Sequence, residues 1–329
     1  MTQILTFACG RNDRTEAIFT GDVRPDGAVL SPVNLPPSEI FPRALKRAEF
    51  DITELSASSY VVQLSRGVSE YVALPVFLSR HFRFDSIYVR SDRGIESPAD
   101  LKGKTLGTPE FQMTAGLWMR GILQEKYGLD HRDVSYVTGG LNQPGRKERI
   151  RIEPGPGQRI RPAGDDVTLN ELLARGDIDA IQAPEPPLCF RNGSAPVKRL
   201  FPDPKAAEID YFTASGIFPI MHLVAVRRAL VEAAPDLPQR LYDAFVKARD
   251  TGYSRLDSMA NAGTLPLMLP WLGAELTQTK SILGKDFWPY GVNANRKPLE
   301  ALCRYSHDQS LAARAVNVDE LFPDTLLGT

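Results

Sequence analysis

Residues 50–78 read FDITELSASSYVVQLSRGVSEYVALPVFL, and this run decides the fold class. Residues 50–55 alternate apolar and polar, as a half-buried strand does, and residues 56–65 have helical character. Residues 72–78 form a continuous apolar run, the mark of a strand covered on both faces. Working outward, residues 4–8 and 28–31 read as strands, the second following the turn Pro25-Asp26-Gly27. Residues 38–48 read as a helix with Ser38 as its N-cap, and residues 86–89 as another strand. This strand–helix–strand rhythm predicts an α/β fold whose mainly parallel sheet is flanked by helices.

A second unit of the same kind opens near Ser97. Residues 105–108 read as its first strand and 114–127 as a strongly amphipathic helix ended by Gly128. Residues 134–138 and 178–182 read as strands, with a helix over 168–174 between them. From 139 to 166 the chain is rich in Gly, Pro and Arg, which predicts a long loop of the kind that carries function. After Tyr211 come a strand at 223–226, a helix at 238–251 and further helices. The expected architecture is a two-lobed clamp. Residues 1–90 plus 214–329 make lobe 1, residues 91–213 make lobe 2, and the ligand cleft lies between them.

The chain has 329 residues, 24% of them charged, and a formal net charge of −1. With no global field to draw nucleic acid or an anionic membrane, any anion must be recognised locally. No apolar run approaches the length of a membrane span, and the N-terminus lacks the pattern of a secretion signal, so a cytoplasmic protein is expected. Cys9, Cys189 and Cys303 are widely spaced, which predicts reduced, buried thiols. No zinc spacing, P-loop, Rossmann fingerprint or serine-hydrolase elbow occurs, so neither metal nor cofactor is expected.

Two clusters carry the candidate chemistry. Ser79-Arg80-His81-Phe82-Arg83 ends one apolar run, and Gly216-Ile217-Phe218-Pro219-Ile220-Met221-His222 leads into another. Strand ends of this kind are where open α/β sheets hold ligands. Arginine pairs with carboxylate through two parallel bonds, so Arg14, Arg80 and Arg83 are candidate anion ligands, with His81 beside them. Histidine carries protons near neutral pH, making His222 the candidate acid. Glu54 and Glu110 are candidate acceptors, Glu54 having an ion pair with an arginine as its structural alternative. Asp286 is placed at the cleft or at a turn, and Thr114 at a helix start that favours anions.

Further strings add specificity. Asp100-Leu101-Lys102-Gly103-Lys104, followed by Leu106-Gly107, resembles the second lobe of type II periplasmic-binding-protein folds. Asn12-Asp13-Arg14-Thr15, Leu74-Pro75-Val76-Phe77-Leu78, Gln112-Met113-Thr114-Ala115, Trp118-Met119-Arg120-Gly121, Thr138-Gly139-Gly140 and Trp288-Pro289-Tyr290-Gly291 accompany it in order. Along nearly its full length the chain resembles the 4,5-dihydroxyphthalate decarboxylase family. The resemblance implies a cytosolic carboxy-lyase on a binding-protein fold, acting on a small aromatic dicarboxylate without a cofactor. With the residue chemistry above, this places His222, Glu54 and Asp286 in catalysis, with Arg14, Arg80, His81, Arg83, Glu110 and Thr114 holding substrate. A non-catalytic solute-binding protein and a chorismate-dehydratase-like lyase remain the alternatives, and assembly is left open, a homodimer included.

Overall fold

The structure, a computed structural model, describes residues 3–329. The strands are β1 Gln3–Cys9, β2 Ala28–Asn34, β3 Ile52–Ser56, β4 Tyr71–Arg80, β5 Ile87–Arg90, β6 Thr105–Thr108, β7 Ser135–Thr138, β8 Arg159–Pro162, β9 Ala180–Gln182, β10 Val197–Arg199 and β11 Ile220–Arg227. They form two sheets, ordered β2-β1-β3-β11-β4 and β10-β5-β9-β6-β7-β8. Three strands contain proline (Pro32 in β2, Pro75 in β4, Pro162 in β8), and all three lie at sheet edges, where a missing N–H interrupts no ladder.

The sheets are mainly parallel, as expected, each with one reversed strand, while other expectations are corrected. β11 runs antiparallel to both β3 and β4, and β5 runs antiparallel to β9 and β10. β5 belongs to the second sheet, so the chain leaves the first at residues 81–86, ahead of residue 90. The arginine-rich loop contains the edge strand β8. Ser38 is not a cap: its helix, Pro37–Arg47, is preceded by Pro36 in extended conformation.

Helix Thr114–Tyr127 keeps its expected bounds, with Gly128 left-handed at its end, but every residue from Thr114 to Leu123 is buried. A helix buried on all sides is an interior helix. It runs through the core that joins the two sheets, where the Trp118 indole donates to the Ile220 carbonyl at 2.8 Å. Gly121 lets it approach helix Arg296–Asp308, because a Cβ there would lie 2.3 Å from the Tyr305 ring. The three cysteines are buried and unbonded. Among the described residues no helix is long and apolar enough to cross a membrane.

Candidate active site

A cavity of about 320 Å³ opens between the two sheets, a size at the lower end of the roughly 300–1,000 Å³ of small-molecule sites. One wall comes from the first sheet and its helices: Ser38, Phe41, Ser56, Met221 and His222. The facing wall comes from the second: Met113, Thr114 and Ala115 at a helix start, Arg146 and Arg149 from the long loop, and Pro184 and Glu185 after β9. Arg83, from the segment joining the sheets, completes the lining.

His222 sits inside β11, opposite Ser56 of β3 and Ser79 of β4. In the ladder with β3, Glu54 lies opposite Val224, so Glu54 and His222 are diagonal neighbours on one face, within reach of long side chains. The His222 Nδ1 lies 2.6 Å from Glu54 Oε1, and Glu54 Oε2 accepts the Gly10 N–H at 3.2 Å. The register of β11 against β4 shifts on either side of His222, an irregularity of the kind that re-aims a side chain. The Phe41 ring meets the imidazole edge-on at 4.9 Å. Burial pushes the Glu54 carboxyl up, but the bond and charge of His222, the Gly10 N–H and Arg14 outweigh it, leaving the group below the usual carboxylate range. An anionic Glu54 on Nδ1 leaves Nε2 as the free ring nitrogen of His222, a residue that lines the cavity.

Arg83 adopts a left-handed backbone, φ 73°, unusual for a side chain of its size. Two bonds hold it there: its N–H donates to His81 Nδ1 at 3.1 Å, and its carbonyl accepts the Ser86 hydroxyl at 2.5 Å. Its guanidinium touches the Pro184 carbonyl at 3.4 Å and has a buried, unpartnered Nε. Among the described residues it has no ion-pair partner, which leaves a cation free on the cavity wall. Arg146 and Arg149, which sequence reasoning did not single out, are instead tethered to Glu110 by ion pairs of 2.6 and 2.7 Å. The available signal was the arginine content of the loop. Arg149 also reaches across the cleft, 5.2 Å from the Phe41 ring.

Most of the remaining predicted residues are placed elsewhere. Arg80 does not line the cavity: it is buried and donates to the carbonyls of Phe218 at 3.0 Å and Pro289 at 2.8 Å and to Asn295 Oδ1. Arg14 pairs with Asp13 at 2.6 Å, donates to the Leu78 carbonyl and lies 4.4 Å over Trp288. Glu110 is buried and takes up both guanidinium groups and the Gln112 amide, so it has no oxygen free for a ligand. Desolvation pushes it up, but Arg149 and Arg146 outweigh this and hold it low. Glu54 likewise reaches the cavity only through His222. Asp286 is exposed and accepts the Tyr253 hydroxyl at 2.8 Å, away from the cleft. Thr114 does line the cavity, its hydroxyl joined to Ser56 Oγ at 2.9 Å and accepting the Ser58 N–H at 3.1 Å. Through these bonds, the starts of helices Ala57–Ser65 and Thr114–Tyr127 meet at the cleft, both presenting positive ends.

His81 lies behind Arg83, with Asp85 and Glu208 close enough that one donor atom from each falls within 4.8 Å of the others. Burial, and then Asp85, push Glu208 up to about 7. Because His81 Nδ1 accepts the Arg83 amide, its neutral ring carries the proton on Nε2. It therefore offers the carboxylates an N–H rather than a lone pair, and the trio fits a shared proton better than a metal.

Both the sequence and the backbone have known relatives. Residues 78–144 match the family model described as NMT1/THI5 like. A 4,5-dihydroxyphthalate decarboxylase of Comamonas testosteroni is 40% identical over 320 residues, covering 97% of this chain and 96% of that one. Another, of Pseudomonas putida, is 44% identical over 212 residues, covering 64% of this chain and 81% of that one. The backbone is similar to that of the periplasmic aliphatic sulphonate binding protein SsuA from Escherichia coli, with a TM-score of 0.54 at 13% identity and 100% of both chains covered. A two-lobed binding-protein frame and a full-length match at this identity lead to one conclusion: the chain belongs to the 4,5-dihydroxyphthalate decarboxylase family.

Proposed function

We propose that this chain removes one carboxylate from 4,5-dihydroxyphthalate without oxidation, giving protocatechuate and carbon dioxide. The observation that carries this reading is the Glu54–His222 pair, which opens on a cleft where Arg83 has no ion-pair partner. Direct loss of an aryl carboxylate would leave an aryl anion. Protonating the ring carbon that bears the carboxylate avoids this, because the hydroxyl oxygen para to it stabilises the cationic ring.

The roles follow. Arg83 takes one carboxylate, and Arg146 and Arg149 face the other from the opposite wall. His222, protonated and held by anionic Glu54, delivers the Nε2 proton to the ring carbon. The carbon–carbon bond to the carboxylate then breaks, its electron pair restores the aromatic ring, and carbon dioxide leaves. Solvent returns one proton to His222 for each carbon dioxide released. Glu185, the carboxylate on the cavity wall, accepts a phenolic hydrogen. The arginines alone would bind substrate and transition state alike and give no rate, so the acid pair separates an enzyme from a clamp.

The test is turnover of 4,5-dihydroxyphthalate in D₂O, followed by carbon dioxide release and mass spectrometry of the product. Stoichiometric protocatechuate with one deuterium at the vacated carbon is expected. Saturable binding without gas release would replace this reading with that of a solute-binding protein.

A further inference from the structure

Of the residues that line the cavity, only Arg83 has a left-handed backbone, φ 73°. That conformation costs any residue with a Cβ and persists only where neighbours hold it. Two bonds do so. The Ser86 hydroxyl, which donates to the Arg83 carbonyl, does not titrate near neutral pH. The acceptor of the Arg83 N–H does, being His81 Nδ1 at 3.1 Å. His81 is itself fixed by its backbone N–H, which donates to the Pro219 carbonyl at 3.2 Å. It does not line the cavity, so its influence on a ligand has to pass through Arg83.

We propose that His81 is a positioning residue for the carboxylate clamp: its unprotonated Nδ1 fixes the turn that aims Arg83 into the cleft, and a proton on Nδ1 releases that turn. The consequence for binding rests on the reading of Arg83 as a carboxylate ligand. An imidazolium carries N–H groups on both nitrogens, so Nδ1 changes from acceptor to donor and opposes the Arg83 N–H. The bond runs from residue i+2 back to the side chain of residue i, the span over which an asparagine side chain holds the same kind of turn.

The charges facing His81 set the sign. On its own segment these are Arg83 and Asp85, and helix Pro204–Ser215 adds Glu208. Arg80, next to it, is turned to the carbonyls of Phe218 and Pro289. The segment Gly216–Pro219 brings no titratable side chain. Asp85 has a buried Oδ1 without a hydrogen-bond partner. Burial, and then Arg83, disfavour the imidazolium and outweigh Asp85, which favours it, so His81 titrates below its ordinary 6.5. Glu208, pushed up to about 7, is mostly neutral before His81 takes a proton and lends it little negative charge. The clamp is therefore set at neutral pH and loosens as pH falls through the His81 range.

Calorimetric titration of the full chain with phthalate, a dicarboxylate without ring hydroxyls, reads the clamp without turnover. His81→Leu removes the acceptor. His81→Asn keeps it, because Oδ1 takes the place of Nδ1, and has no proton to gain. At pH ~8, His81→Leu should raise the phthalate Kd about 3- to 10-fold, the worth of one neutral hydrogen bond, and His81→Asn should restore it to within about twofold. From pH ~8 to ~5 the wild type should lose about 3- to 10-fold more affinity than His81→Asn, since the titration of phthalate itself is common to both. Nitrogen NMR of the histidine-labelled chain gives a readout that needs no ligand: the signals absent from His81→Asn should belong to a ring with its proton on Nε2 at neutral pH. Signals of an Nδ1-protonated neutral ring, parallel pH profiles of wild type and His81→Asn, or a folded His81→Leu that binds phthalate as the wild type does would each overturn the proposal. Arg83→Met separates the two layers. If it weakens phthalate while His81→Leu does not, only the role of His81 falls; if it binds phthalate as the wild type does, the reading of Arg83 falls and takes this role with it.

Discussion

Replacing Glu54 by glutamine changes the charge and one acceptor of a side chain only 4% exposed, leaving its shape intact. The carboxylate accepts from His222 Nδ1 at 2.6 Å and from the Gly10 N–H at 3.2 Å, so both neighbours are donors when the imidazole is protonated. Glutamine has one oxygen and one NH₂. Turned either way, it places its NH₂ against a donor: Gly10 in one orientation, protonated His222 in the other. A polar group left unsatisfied in this way costs about 1–3 kcal/mol, and trading a charged acceptor for a neutral one loses about 1 kcal/mol more. Together, ~2–4 kcal/mol against the protonated imidazole corresponds to a fall in kcat of roughly 30- to 10³-fold. KM should move little, since Glu54 does not line the cavity. His222→Gln should cost ~10²–10⁴-fold, the span of general acid catalysis. The decisive assay is the double-mutant cycle on 4,5-dihydroxyphthalate turnover: with His222 already glutamine, Glu54→Gln should cost almost nothing further. An undiminished loss in that background would refute the argument that Glu54 acts through His222.

Arg83→Met should raise KM about 10- to 150-fold, the equivalent of one charge-assisted bond of ~1.5–3 kcal/mol, with kcat less affected; equal weakening for phthalate and benzoate analogues in binding titrations would contradict its role as a carboxylate ligand. Arg80→Met should instead lower thermal stability by about 2 kcal/mol or more, because the Phe218 carbonyl and buried Asn295 Oδ1 lose their donor, while KM of the folded fraction stays unchanged. Glu148 accepts the Phe111 N–H at 2.5 Å but has a buried, unpartnered Oε2, and desolvation first, then Glu110, push it up to about 7. Its folded form holds a proton that the unfolded chain releases near 4.5. The resulting penalty is therefore absent at acid pH and grows as pH rises from about 4.5 to 7. Urea melts should show wild-type stability declining across that window relative to Glu148→Gln, and parallel curves would refute it.

Where the sequence was legible, it was because local chemistry and tertiary environment agree. Strand-like patterns bounded by turns marked β1, β3, β4, β6 and β7, and Thr114–Tyr127 emerged with its bounds intact. β8 was not legible, because Arg159–Pro162 is a polar edge strand with no face to bury. Arg80 and Arg83 show the limit for the site. Three residues apart and alike in composition, they part because Arg80 still belongs to the strand, where the carbonyls of Phe218 and Pro289 await it. Arg83 lies beyond the strand, where a left-handed turn takes the chain toward the other sheet. No periodicity distinguishes the two. Glu54 and His222 were individually conspicuous, yet their contact spans 168 residues and exists only because β11 inserts antiparallel between β3 and β4.

That insertion also explains how a binding-protein frame acquires an acid. The proposed proton donor rides on a strand locked on both sides by ladders and packed against Phe41, which fixes an imidazole more tightly than a loop would. The cations arrive from elsewhere: Arg83 from the crossing segment, and Arg146 and Arg149 from the second sheet's long loop, fastened by Glu110. A dicarboxylate gripped by these arginines has its ring placed against a donor it did not itself position. Binding contributed by the carboxylates, one of which takes no part in the chemistry, thereby orients the carbon that does. In the proposed step, rate enters only where charge changes: the ring becomes cationic as the imidazolium becomes neutral. The walls must therefore treat these two charge distributions differently. An anionic Glu54 behind the imidazole favours the charged acid before transfer, and Glu185 on the opposite wall favours the cationic ring after it. On this reasoning catalysis depends on the balance between two carboxylates, while the arginines determine which molecules reach them.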